Sequence, residues 1–202
     1  MPTFAKIFFA MTHQIIQSIK SFVRLNEAEK QAFLAILEVK NLKKKAFLLQ
    51  EGKICNKITF VNSGVLRLFY NVDGLENTVQ FFFANGWYTD YASFLTGQQT
   101  IENVQALEDT EVIQFKKEDL YKLYDIYPVF DRLGRMMAEN AFLSLSSLNK
   151  MLTNETPEER YLSLLAQRPE LTEKIPQHYI ASYLRIQPES LSRIRKRISQ
   201  RK

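Results

Sequence analysis

Between about Ala46 and Lys116 the chain breaks into short runs of β-favouring residues: AFLLQ, KITFVNSG, VLRLFYNV, NTVQFFF, IENVQAL and TEVIQFK. They alternate or are apolar throughout, and Gly, Asn and Asp bound them. Runs this short cannot be stable helices, and there are too many for one hairpin. Strands recurring about every ten residues predict a small barrel or jelly roll. Asp73-Gly74, between VLRLFYNV and NTVQFFF, is the strongest hairpin signal, because a primed turn needs positive φ and Gly supplies it.

Composition narrows the chemistry that such a fold carries. The chain has 202 residues, 46% hydrophobic and 24% charged, which suits one large or two small domains with a real core. The longest apolar runs, Ile7 to Met11 and Gln80 to Ala84, are far short of a membrane span. Cys55 is the only cysteine, and His13 and His178 the only histidines, so an internal disulfide, a multi-cysteine zinc site and a four-thiolate cluster are excluded within one chain. No metal site and no cofactor are expected. The N-terminal MPTFAKIFFAMTH has no h-region followed by a cleavage site, so a cytoplasmic protein is expected, with Met11 an alternative start. A nucleophile paired with a base is not found, and GVLRLF and GWYTDY lack the glycines of a phosphate loop, so the chain does not read as an enzyme.

Helical patterning flanks the β-rich stretch. Residues 12–24 and 26–39 carry it before, the second opening on Asn26 with Glu29 as a capping box. After it, helical pattern covers Lys117 to Tyr124, stops before Pro128 and runs from about Val129 to Thr153. Within that long helix Phe130, Gly134, Met137, Ala141, Ser144, Leu148 and Met151 recur at alternating four and three residue steps. This stripe either pairs two copies of the chain or packs on its own β domain. Thr156-Pro157-Glu158-Glu159 then starts another helix, with Thr as N-cap, Pro at the first position and acids in the first turn. A domain boundary falls near Asn154.

Charge is concentrated at the far end. From Arg185 to Lys202 seven basic residues face the single acid Glu189, a net +6, leaving −1 for the first 184 residues of a chain whose total is +5. A phosphate-binding end and a solvated basic tail both look like this. The pattern around the charge separates them. IPQHYIASYLRIQPESLSRIRKRI divides into two short helices: one from Gln177 to Leu184 with small Ala181 where a partner helix crosses, and one opened by Pro188. The second turns Leu191, Ile194 and Ile198 inward and Glu189, Ser190, Ser192, Arg193, Arg195, Lys196 and Arg197 outward. That is helix-turn-helix grammar, and such a helix suits the major groove, where guanidinium forks match guanine and a carboxylate accepts from cytosine. Gln177 at the start of the first helix joins these as a candidate DNA contact.

This motif, with NSGVLRLFY, VQFFFANGW, LEDTEV and PEERYLSLL, resembles the Crp/Fnr family of bacterial transcription regulators over residues 26–198, and specifically its Bacteroidetes-type branch. The resemblance implies an α+β fold: a cyclic-nucleotide-binding-like β-barrel of jelly-roll type with N-terminal helices (1–128), a long dimerisation helix (129–154) and a C-terminal winged helix-turn-helix (155–202). It implies a homodimer on double-stranded DNA, with RNA polymerase as a further candidate partner and no membrane. It also implies base contacts from Glu189 and Arg193 and a phosphate contact from Ser190. The seam residues are then Phe130, Met137, Ala141, Ser144, Leu148 and Met151. Arg185 stands where the family usually has the Gly of the turn. A ligand-binding module of this fold without DNA-binding activity is the alternative reading.

Family members that bind cyclic AMP carry a cassette Gly-Glu-(nine residues)-Arg-Ser. Ungapped alignment puts Thr89, Asp90, Thr100 and Ile101 at those four places as the candidate ligand pocket. The cation that pairs with a cyclic phosphate is absent from them, so cyclic AMP is not the expected effector, and Asp90 reads better as a loop or cap residue. The aromatic residues Phe81, Phe82, Phe83, Trp87, Tyr88, Tyr91 and Phe94 either line an apolar pocket or, as expected from burial preferences, fill the core.

Overall fold

The computed structural model describes residues 4–200, so Arg201 and Lys202 of the basic terminus lie outside the described residues. The chain forms two compact units, Met1–Leu68 with Phe81–Glu139, and Phe69–Gln80 with Asn140–Lys202.

In the first unit, α1 (Phe4–Lys20) and α2 (Glu27–Ala35) precede the strands. The capping box read from the sequence closes α2 at its start: the Glu29 amide donates to the Asn26 side chain at 2.9 Å, and the Asn26 amide donates to the Glu29 carboxylate at 2.7 Å. The helix expected to reach residue 39 stops at Ala35, and β1 (Glu38–Leu42) follows. Alternation in EVKNL stops after Lys40, and its strand conformation comes from pairing along β8, with Val39 opposite Ile113.

The remaining strands are β2 (Phe47–Leu49), β3 (Lys57–Ser63), β4 (Val65–Val72), β5 (Leu75–Phe83), β6 (Trp87–Tyr88), β7 (Asn103–Ala106) and β8 (Thr110–Lys116). They form two four-stranded sheets, ordered β1-β8-β3-β6 and β2-β7-β4-β5, which make a β-sandwich. Between β4 and β5, Asp73 and Gly74 both have positive φ (52° and 79°), the backbone of a two-residue primed turn. A short helix, α3 (Tyr91–Thr96), lies between β6 and β7, and α4 (Lys117–Ile126) follows β8.

The core of this unit gathers Ile15 and Ile19 of α1, Phe33 of α2, Phe60, Ile113 and Phe115 of the sheet, and Leu120 and Leu123 of α4. Phe33 sits edge-on to Phe115 at 5.3 Å and stacks on Phe130 at 5.8 Å. Phe94 is part of this cluster and Trp87 packs against it, so those two aromatics serve as core.

The long helix α5 (Pro128–Asn154) corrects the reading of its own stripe. Phe130 (0% exposed) and Met137 (8%) belong to the core of the same chain and are unavailable to a second copy. Gly134 is small for a local reason as well, since a Cβ there would overlap the Tyr124 hydroxyl of α4. The first half of the predicted seam is therefore the inner face of the helix, because an apolar stripe is buried by the nearest available apolar surface. Further along, Ala141, Leu148 and Met151 are half-buried and Ser144 is exposed, while Phe142, Leu143 and Leu145 stand 70%, 61% and 65% exposed.

In the second unit, four helices follow: α6 (Pro157–Gln167), α7 (Pro169–Lys174), α8 (Gln177–Tyr183) and α9 (Pro188–Ser199). Thr156 caps α6 as expected, its amide donating to Glu159 Oε2 at 2.8 Å. These hydrogen bonds hold the Glu159 carboxyl below the ordinary carboxylate range, so the cap stabilises α6 at neutral pH and is lost as pH falls. Tyr161, Leu164, Leu171, Ile175, Ile180, Ala181, Leu184, Leu191 and Ile194 are buried. The short α7 was not legible in the sequence. Among the described residues every element after α5 is helical, so the strands of a wing are not among them.

Candidate nucleic-acid interface

The connection between α8 and α9 decides where the basic helix points. Leu184 ends α8 in the right-handed region and Arg185 follows with φ of 58°. The Arg185 amide donates to the Ser182 carbonyl and the Ile186 amide to the Ala181 carbonyl, both at 3.0 Å. These two bonds define a Schellman motif, which satisfies carbonyls that a helix end otherwise leaves open. The turn that glycine usually makes is thus made by arginine in the same left-handed conformation. Ala181 is fully buried, and α8 packs on α9.

Arg185 carries a conformational cost that glycine lacks, because its Cβ crowds the backbone at positive φ. Arg185→Gly should therefore stabilise the chain by about 0.5–1 kcal/mol, while Arg185→Ala should give no such gain. Denaturant unfolding of both variants checks this; equal stabilities for Gly and Ala would show that the turn is unstrained.

On α9, Leu191 and Ile194 are buried, with Ile198 continuing their row half-buried. Opposite them Glu189, Ser192, Arg193 and Lys196, at i, i+3, i+4 and i+7, share one exposed face. Arg195 is exposed on one flank of this face. Ser190 and Arg197 lie on the other, beside a cleft of about 440 Å³ that Thr156, Pro157 and Glu158 of the α6 N-terminal turn close. Arg193 does not close on the Glu189 carboxylate: its Nε donates to the Glu189 backbone carbonyl at 3.4 Å, leaving both heads displayed. Arg197 is engaged, donating from Nη2 to Glu158 Oε2 at 2.8 Å. Gln177 is exposed in the first turn of α8. Proximity of Glu158 to α9 is the feature that sequence reasoning missed, since 39 residues separate the partners and no local pattern signals a contact of that separation.

The β-sandwich places the cassette positions differently. Asp90 is the N-cap of α3, accepting from the Ser93 amide at 3.1 Å, and its second oxygen accepts from the Thr100 hydroxyl at 2.5 Å. Both residues are buried, so this carboxylate is already occupied by local structure. The Thr89 hydroxyl donates to the Lys57 carbonyl at 3.1 Å, and Ile101 points to solvent. Three of the four positions thus serve backbone and side-chain hydrogen bonds, and the fourth is on the surface. Nearby, Tyr88 donates to Glu102 at 2.8 Å, and burial pushes its phenol far above the usual range. Among the described residues no group of three or more His, Cys, Asp or Glu could hold a metal ion, and no helix is long and apolar enough to cross a membrane.

Residues 39–127 match the family model described as the cyclic nucleotide-binding domain. FixK2 from Bradyrhizobium japonicum is similar in structure at 17% identity and a TM-score of 0.72, with 82% of this chain and 86% of that one covered. A protein assigned to the Crp/Fnr family of transcriptional regulators from Eubacterium rectale is similar at 19% identity and a TM-score of 0.68, covering 88% and 85%. DNR from Pseudomonas aeruginosa, at 20% identity and a TM-score of 0.52, covers all of this chain and 89% of its own. No curated protein matches the chain. The fold is therefore α+β: a β-sandwich that matches the cyclic nucleotide-binding domain model, a long helix and C-terminal helices resembling those of Crp/Fnr structures. That likeness extends over nearly the whole chain.

Proposed function

We propose that the chain is a sequence-specific regulator of transcription of the Crp/Fnr type, a homodimer that binds double-stranded DNA through α9. The observation that carries this reading is the two-helix unit held by the Schellman turn, which leaves Glu189, Ser192, Arg193 and Lys196 together on one exposed face. Glu189 and Arg193 read base edges, and Ser190, Arg195 and Gln177 hold backbone. A ligand-binding module without DNA-binding activity has no use for such a face.

The dimer forms along α5 on the face that its own core leaves uncovered. Ala138, Phe142, Leu145, Asn149 and Leu152 recur at four and three residue steps, one residue out of phase with the predicted seam. Phe142 and Leu145 are the large apolar side chains at its centre. Two copies of α9 related by a two-fold then meet successive major grooves, so the operator is an inverted repeat with half-sites roughly 34 Å apart. Cyclic AMP is not the effector, because Thr100 donates to Asp90 where a cation is needed to hold a cyclic phosphate.

Fluorescence anisotropy with duplexes enriched from random sequence tests this. Affinity should fall steeply with salt through counterion release and stay the same when cyclic AMP is added. Absence of salt-dependent binding to every duplex would sink the DNA reading, and tightening by cyclic AMP would sink the statement about the effector.

A further inference from the structure

Among the described residues, Arg197 is the one cation of α9 tied to an acid on another helix. Glu158 belongs to the first turn of α6 and Arg197 to the last turn of α9; Nη2 and Oε2 are 2.8 Å apart, with the side chains 53% and 24% exposed. Both line the open cleft that also receives Ser190 and Arg193. We infer that Glu158 tempers DNA affinity: its carboxylate competes with backbone phosphate for the Arg197 guanidinium, so that complexes held by electrostatics alone become weak. The inference rests on the DNA-binding reading above.

A guanidinium fork fits a carboxylate and a phosphate by the same geometry, so one displaces the other rather than joining it. In the free protein Glu158 cancels the charge of Arg197 and puts a negative group beside Arg193. A phosphate entering the cleft must break the ion pair and accept the nearby carboxylate. Non-specific complexes, which are held by electrostatics alone, have nothing to offset that exchange. A cognate complex meets the same cost but adds its base contacts, so it stays tight where the non-specific complex does not. Fold stability is a minor use of the pair, because solvent at the half-exposed Arg197 side chain screens it. The α6 start is already capped by Thr156 and Glu159.

The test uses the full chain as wild type, Glu158→Gln, Glu158→Ala, Arg197→Gln and the Glu158→Gln/Arg197→Gln double variant. Each is titrated by anisotropy against a random-sequence duplex and against a duplex enriched by wild type, over a range of salt. Both Glu158 variants should bind the random duplex about tenfold more tightly near 0.1 M salt and steepen the log–log salt dependence by about 0.9. The gain should be of similar size on the enriched duplex and should vanish when Arg197 is also replaced. Melting temperatures should match wild type. Glu158 variants that bind the random duplex no better than wild type, while wild type binds normally, would overturn the inference. So would an equal gain in the Arg197→Gln background, which would mark a general charge effect. Failure of wild type and every variant to bind any duplex would instead overturn the DNA reading, and this inference with it.

Discussion

Phe142→Glu with Leu145→Glu should convert the protein from a dimer to a monomer in analytical ultracentrifugation without unfolding it. Both side chains are largely exposed within one chain, at 70% and 65%, so two carboxylates cost the monomer little. Across a two-fold the same carboxylates would face each other in an apolar seam, where unpaired charge is expensive. Operator affinity should fall by about 10²-fold or more, because the second half-site is then no longer bound at the high effective concentration that linkage provides. Met137→Glu is the informative contrast. That position is buried in the core with Phe33 and Phe130, so the charge should unfold the first unit rather than separate two copies. A double variant that remains dimeric would place the seam elsewhere.

Arg193→Ala should cost about 1–3 kcal/mol on the cognate operator and relax preference at one base pair, usually a G·C. Arg193 and Glu189 lie one turn apart on the outer face in the N-terminal half of α9, the half of a recognition helix that approaches base edges. The competing account, an i,i+4 surface ion pair worth about 0.3–0.5 kcal/mol, finds no support in the contact that is present, which runs to the Glu189 carbonyl. Selection of oligonucleotides by wild type and variant decides between them. An identical consensus at every position would remove Arg193 from base reading.

Much of the architecture was legible because it is local. The capping boxes at Asn26 and Thr156, the Asp73-Gly74 turn, most of the strands and the paired helices of the basic terminus each depend on residues a few positions apart. Short-range hydrogen bonds, φ preferences and apolar periodicity report on those. The strand at Glu38–Leu42 was not legible, since its conformation is imposed by β8 about seventy residues away.

The site divides along the same line. Sequence alone determined which side chains α9 displays, because a helix fixes its faces by spacing, and it marked Asp90 as better suited to capping than to a ligand. Only the tertiary structure decided that Arg185 makes the turn in a left-handed conformation, that Glu158 holds Arg197, and which side of α5 is spare. The stripe from Phe130 to Met151 shows the reason. A run of apolar residues at heptad steps states that a helix has a face to bury, but not what buries it, and one residue of phase turns the helix by about 100°. Phe33 and Tyr124 meet the first half of that stripe because the chain folds back on itself there, and the face left over is a property of the packed unit rather than of the pattern.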